Sequence, residues 1–554
     1  MAKITLPSER QVGHLTLLRQ GRDISLAEFN ALTSSEQLDI IRQQQGKKKS
    51  DLIFNSQYAE KLVPRLHPQE VYLTINDLGA DDATDLLALA SPEQIALFLD
   101  LDCWDGDHLS PVLSLHWLDH LLRTGEEKII QLARELDPEI LTLFLKKHLT
   151  IIRGIEVFDD DEIENAKRLE ALYDIEYASE DAAKIISALL KIWMDKEQET
   201  YLLIMEMIRS EQLSTLEEEV FQARNNRLLD LGILPSVEAK AIYSYLEPEE
   251  FIPGGKSDFQ LEADTSVNPK ALLAHAEPYN LLATILNNGI SHDIGCELLF
   301  LVNRKMSADH IDVSDSQNVR NTVQSIYDIL NLALEYLAAT DEAQAEEIFS
   351  STYLVRLFQL GHSLLERRFK KAREFKDDAI YPFLDYPELL FIDSLLDTPA
   401  FFYRTAVGDK PSSLKQIRTV KDLDLIDLRL DQITALSLLF TAKLSFNLPQ
   451  NESGQDELPT LAQMFNTAVA NQLLGRPFTI DPLALSELTQ LHDRTFSGER
   501  LSGEFKQQLR LFLDQQDQRC AFFAEFCLEL WEEGLFELNQ QTDTPYMASA
   551  FIVE

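Results

Sequence analysis

Four aspartates, Asp100, Asp102, Asp105 and Asp107, fall within eight positions of the segment SPEQIALFLDLDCWDGDHLSP, residues 91–111. Carboxylates at that density suit calcium or magnesium, because hard cations take oxygen ligands. A twelve-residue calcium loop needs a ligand at its fifth position, glycine at its sixth and glutamate at its twelfth. Counted from Asp100, the chain has Trp104, Asp105 and Pro111 there. The expected role is therefore a helix exit: Trp104 packs back on the helices, the carboxylates stay in water, and Ser110 with Pro111 starts the next helix. The four aspartates remain weak metal candidates.

Other groupings resemble known sites only in part. His116 and His120 stand four apart on a helical pattern, as zinc-binding pairs do, but Trp117 occupies the place where a zincin carries glutamate. Gly255-Lys256-Ser257 resembles the end of a phosphate loop, yet Glu250 stands where the first glycine belongs, and neither the strand before nor the helix after it is visible. Cys520 and Cys527 lie seven apart without a histidine nearby, which favours core packing over zinc. Glu532 and Glu533 beside Trp531 read as a helix end. Glu219 with Arg224, and Glu218 with Arg227, bring opposite charges close in sequence without ideal helical spacing. Arg367, Arg368, Lys370, Lys371, Arg373 and Lys376 concentrate positive charge. Their first reading is a solvated face or an internal partner for acidic surface, and the alternative is a docking site for an acidic partner.

These groups sit in a chain of 554 residues with a formal net charge of -42. Such a surface repels phosphate backbones and anionic lipid heads, so neither nucleic acid nor a membrane surface is an expected partner. Glycine is scarce, 19 residues, while 45% of positions are hydrophobic, which favours packed helices. Four scattered cysteines read as reduced thiols. The opening residues lack an apolar signal core, and no run of eighteen uncharged apolar residues occurs, so the expected location is the cytoplasm.

Three lines of twelve residues follow one another from His67, Gly79 and Ser91. Apolar residues recur in them at helical spacing, including Val71, Ile75 and Leu78, then Leu86, Leu87 and Ala90, then Ile95, Phe98 and Leu99. Ser91, Pro92 and Gln94 form a helix start with a capping box. Helices this short are marginal alone and must stack. An acidic stretch from Phe158, a loop from Pro253 and a second loop from Asn447 punctuate the helical remainder.

With DDATDLLALASPEQIALFLDLDCW, HWLDHLL, NNRLLDLGILPSVEAKAIYSYLEPEEF, ELLFLVNRKMSADHID and FLDYPELLFIDSLLDTPAFFY in order, most of the chain resembles a bacterial domain-of-unknown-function family of similar length. Residues 66–102 also resemble the short helical repeats of the MgtE transporter N-terminal domain and of the flagellar switch protein FliG. That likeness is carried by Asp82, Ala83, Leu86, Leu87, Ser91, Pro92 and Glu93. The MgtE likeness implies an acidic helical superhelix that senses magnesium between carboxylate faces, and the FliG likeness implies protein docking through stacked helices.

The expected fold is all-α: an N-terminal armadillo-like, right-handed superhelical stack followed by helical bundles. The expected blocks are residues 1–155, 156–252, a linker at 253–272, 273–380 and 381–554. The expected function is a non-catalytic interaction scaffold or regulatory adaptor for a protein partner, with Trp104, Trp117, Arg367, Arg368, Lys370 and Lys371 as candidate contacts. The alternatives are a magnesium-responsive sensor and a metal-dependent helical hydrolase. No catalytic residue is assigned, and no cofactor is expected beyond weakly bound magnesium.

Overall fold

The computed structural model describes residues 4–5, 23–24, 26–42, 44, 46–78, 80–153, 173–256, 280–288, 291–397, 400–403, 414–444, 447–449, 458–536 and 550–554. The chain is all-α in class: helices dominate, and among the described residues the strands form five two-stranded antiparallel sheets. Helix starts follow capping chemistry. Thr33, Ser91, Thr419 and Thr460 each close a capping box with the residue three positions on, satisfying two backbone donors that a helix leaves free.

The chain divides into two compact units. One comprises Met1–Ser244, Ile252–Leu330 and Asp341–Gln359; the other comprises Tyr245–Phe251, Asn331–Thr340 and Leu360–Glu554. Residues 1–244, which the sequence divides at 155, fall in one unit. Most of the acidic stretch after Phe158, the expected linker beyond Lys256 and most of the loop from Asn447 lie outside the described residues.

In the first unit, short helices Pro68–Asn76, Ala80–Leu89 and Pro92–Asp102 follow one another, and their apolar residues enter one buried cluster. The Pro68–Asn76 helix is buried along most of its length, polar residues included. Gln69 and Asn303 exchange side-chain amide hydrogen bonds of 2.9 and 3.1 Å, and Lys49 pairs with Glu70 in the interior. His67 accepts the Gln69 N–H at Nδ1, and burial pushes its imidazole down to about 4, so it caps the helix as a neutral ring.

One small device occurs in both units. Strands Trp104–Asp105 and His108–Leu109 turn at Gly106, and strands Phe496–Ser497 and Arg500–Leu501 turn at Gly498, with φ of +63° and +75°. The next serine, Ser110 or Ser502, caps the following helix. Its N–H closes the hairpin on the carbonyl of Cys103 or Thr495, at 2.8 Å in both. The leucine before it donates its N–H to a glutamate on another helix: Leu109 to Glu217 at 2.8 Å, Leu501 to Glu532 at 3.4 Å. A lysine neutralises each glutamate, Lys147 at 2.6 Å and Lys506 at 2.9 Å.

In the second unit, Phe465 and Phe440 each pack 5.7 Å from Phe523, and the buried Trp531 packs 4.9 Å from Phe505 and 4.8 Å from Phe551. The segment 550–554 is held there: Leu483 N–H donates to the Ile552 carbonyl, and Glu554 N–H to that of Leu483.

Gly232 ends the Leu213–Asp230 helix at φ +78°, with Ile233 N–H reaching back to the Leu228 carbonyl. A Cβ at Gly232 would stand 2.9 Å from the Phe300 Cα, whereas one at Gly106 would meet nothing within 4 Å. Gly232→Ala is therefore expected to lower unfolding stability by about 1–3 kcal/mol, and by more than Gly106→Ala, in urea titrations of the two variants.

Candidate functional site

The aspartate run is divided between interior and surface. Asp100 is 3% exposed, and its carboxylate receives both arms of Arg227, from Nε at 2.7 Å and Nη2 at 2.9 Å. The Asp100 carbonyl accepts Arg224 Nε at 2.8 Å, and the Arg224 guanidinium lies 5.4 Å from the Trp104 ring centroid and 5.8 Å from that of Phe221. Burial pushes the Asp100 carboxyl up from its ordinary value, while the Arg227 bonds hold it down. Asp102 accepts Trp117 Nε1–H at 2.5 Å and the Tyr72 hydroxyl at 3.4 Å. Of the four, only Asp105 and Asp107, at the hairpin turn, are exposed. Among the described residues, no trio of His, Cys, Asp or Glu side chains stands together as a metal-binding group.

Of the candidate partner contacts Trp104 and Trp117, neither is exposed. Trp117 is 6% exposed, in contact with Phe98, and Trp104 is half-buried with its ring 5.6 Å from Phe221. The arginines on the Leu213–Asp230 helix also differ from the sequence pairing. Arg224 and Arg227 reach Asp100 across more than a hundred residues rather than Glu219 and Glu218 nearby.

The basic run on the Leu354–Lys376 helix is largely neutralised within its own unit. Arg367 meets Glu249 at 2.6 Å, Arg368 pairs with Asp427, Lys371 meets Asp431 at 2.6 Å, Arg373 pairs with Glu366, and Lys376 meets Asp393 at 3.2 Å. Lys370 is exposed. Lys256 likewise pairs with Glu297, and Ser257 lies outside the described residues. Cys520 and Cys527 are buried.

An open groove of about 760 Å³ lies in the first unit. Pro111, Val112, Leu115, Ala178 and Ile185 supply its apolar lining, and His116, Asp119, Lys147, His148, Ser179, Asp181 and Lys184 its polar one. The Pro111–Arg123 helix forms one wall because its first turn leaves Val112 and Leu113 in solvent, 78% and 37% exposed, while Ser114, Trp117 and Leu118 turn inward. The polar groups already have partners: Asp119 with Arg123 at 2.5 Å, Lys147 with Glu217, Lys184 with Asp181 at 3.8 Å, and His148 Nε2 with Ser114 Oγ at 2.9 Å. Ser114 is fully buried, so its contact with His148 orients the ring and presents no nucleophile to the groove. His116 and His120 point their Nε2 atoms at each other, 3.0 Å apart.

A buried acidic pair that sequence reasoning missed lies in the second unit. Asp385, at the start of the Tyr386–Leu396 helix, accepts the Ala462 N–H at 3.1 Å, and burial pushes its carboxyl up to about 6. Glu388 is pushed up to about 8 by burial and by Asp385, with Arg429 opposing. Glu388, Arg429, Gln432 and Phe522 line a cavity of about 10 Å³, room for one water and no substrate. The signal in the sequence was Asp385-Tyr386-Pro387-Glu388, an ordinary helix start whose glutamate normally faces solvent. The contacts that enclose it lie far along the chain.

These features define a class: a helical protein of two compact units, one bearing an open, mainly apolar groove. The chain belongs to a family of unknown function, DUF6178, whose model matches residues 26–554. No curated protein and no solved structure matches it. No helix among the described residues is long and apolar enough to cross a membrane.

Two outcomes follow from the buried charges. Arg227→Gln leaves Asp100 buried without its cation and is expected to cost about 3 kcal/mol in urea denaturation, at the lower end for broken buried pairs because Arg227 touches solvent. Glu388 holds a proton in the folded state from the ordinary glutamate value up to about 8, where the unfolded chain has released it. Stability therefore falls as pH rises from about 4.3 to about 8, and Asp385 contributes a shorter fall ending near 6. Glu388→Gln is expected to flatten that fall and to raise the melting temperature above the wild-type value at about pH 8.

Proposed function

We propose that this protein is a non-catalytic interaction scaffold or adaptor of the cytoplasm, engaging a protein partner through the groove beside the Pro111–Arg123 helix. In this reading the short helices of the first unit stack as an armadillo-like superhelix and hold the groove wall rigid. The observation that carries the reading is the pairing of an apolar lining with Val112 at 78% exposure, aliphatic surface that water covers in the isolated chain. A matching partner is a short amphipathic segment that places aliphatic or aromatic side chains against Val112, Leu115 and Ile185. Basic residues flanking that segment would meet a chain of net charge -42, which accelerates encounter more than it tightens the complex.

The magnesium-sensor and hydrolase alternatives draw less support. Asp100 and Asp102 are engaged by Arg227 and Trp117, and the buried acids of the second unit adjoin a cavity the size of one water.

A photo-crosslinking amino acid at Val112 tests the proposal in cells that express the full chain. The expected result is a discrete adduct with one partner, abolished by Leu115→Asp and absent when the same crosslinker replaces the exposed Leu511 of the second unit. No adduct at Val112, or an equal pattern from Leu511, would sink the proposal.

A further inference from the structure

His116 and His120 lie one turn apart on the Pro111–Arg123 helix, and their rings meet edge to face with centroids 4.3 Å apart at 80°. The two Nε2 atoms converge at 3.0 Å. Two nitrogens bound about 2.05 Å from one ion stand about 2.9 Å apart at a right angle and about 3.3 Å apart at a tetrahedral angle. The observed separation falls between those values, so both Nε2 atoms stand within bonding distance of one point, and a small rotation of the rings turns their lone pairs to it.

We propose that His116 and His120 form a two-histidine chelate for a late first-row divalent cation of the zinc class. Imidazole nitrogen selects zinc, nickel and copper over magnesium and calcium, which need oxygen donors. On binding, the ring that donates its Nε2–H to the other moves that proton to its own Nδ1 by exchange with water, and both Nε2 atoms enter coordination as neutral donors. Nδ1 of each ring then carries the remaining N–H. Water fills the other positions of the ion, on the side where His116 faces the groove. His116 is exposed and His120 half-buried, so an ion reaches the pair without opening the core.

The charged side chains around the pair are already engaged with one another. Asp119, between the two histidines, is held by Arg123 at 2.5 Å and so does not close over the ring nitrogens. Lys147 and Lys184, the cations of the groove, are paired with Glu217 and Asp181. The net charge of -42 raises the local concentration of any dication. Because the chelate rests on two side chains of one helix, it stands whether or not the groove takes a partner.

Isothermal titration of the tag-free, chelator-treated full chain with zinc chloride, nickel chloride and magnesium chloride tests it. The expected result is one saturable zinc or nickel site per chain and no magnesium heat. His116→Ala and His120→Ala should each weaken binding by about tenfold or more, equivalent to about 1.4 kcal/mol. Circular dichroism of both variants should match the parent, since neither side chain is part of the core. Absence of saturable binding, binding unchanged in both variants, or binding lost in only one would each overturn the chelate.

Discussion

The bidentate contact between Asp100 and Arg227 is the constraint on which the first unit depends. A carboxylate at 3% exposure is tolerable only with a cation and matched hydrogen bonds, so the Pro92–Asp102 and Leu213–Asp230 helices can meet in one register. That register places Arg224 over Trp104 and Glu217 opposite the Leu109 N–H. It leaves the following helix to present Val112 and His116 to the groove. A purely apolar contact between the two helices would tolerate a slide; this one leaves a buried charge unpaired if it slides.

The same logic recurs where polar groups enter the core. Gln69 and Asn303 satisfy each other, Lys49 neutralises Glu70, and Gln94 caps its own helix while donating to the Val63 and Leu66 carbonyls at 2.9 Å. Each such group contributes little net stability once desolvation is counted, yet each excludes neighbouring arrangements that would leave it unsatisfied. In the second unit the acids are treated differently: burial and the neighbouring Asp385 push the Glu388 carboxyl up, against the opposing charge of Arg429.

Local chemistry was legible in the sequence, and long-range pairing was not. Ser91, Pro92 and Gln94 announced a helix start that the structure contains, and the glycine-poor, leucine-rich composition announced an all-α class. The run from Arg367 to Lys376 meets carboxylates that lie far along the chain, Asp427 and Asp431 among them, which its own sequence does not name. The hairpin after Asp102 and the burial of Trp117 were hidden. Whether a carboxylate stays in water depends on an arginine 127 positions away, and no local pattern encodes that distance. Asp385 and Glu388 were missed for the same reason. Their spacing is that of any capped helix, and Phe522 and Arg429 make it a buried site.

The hairpin clip that each unit builds has a consequence for the chain entropy that folding must overcome. The two clips share a glycine turn, a capping serine and a leucine N–H held by glutamate, so their local parts form on similar terms. Their anchors differ: Glu217 lies 108 residues beyond Leu109, whereas Glu532 lies 31 beyond Leu501. Closing the longer loop costs about 1 kcal/mol more chain entropy than closing the shorter one. Similar local geometry is therefore closed at different entropic cost: the clip of the second unit spans its own neighbourhood, and that of the first spans a hundred intervening residues.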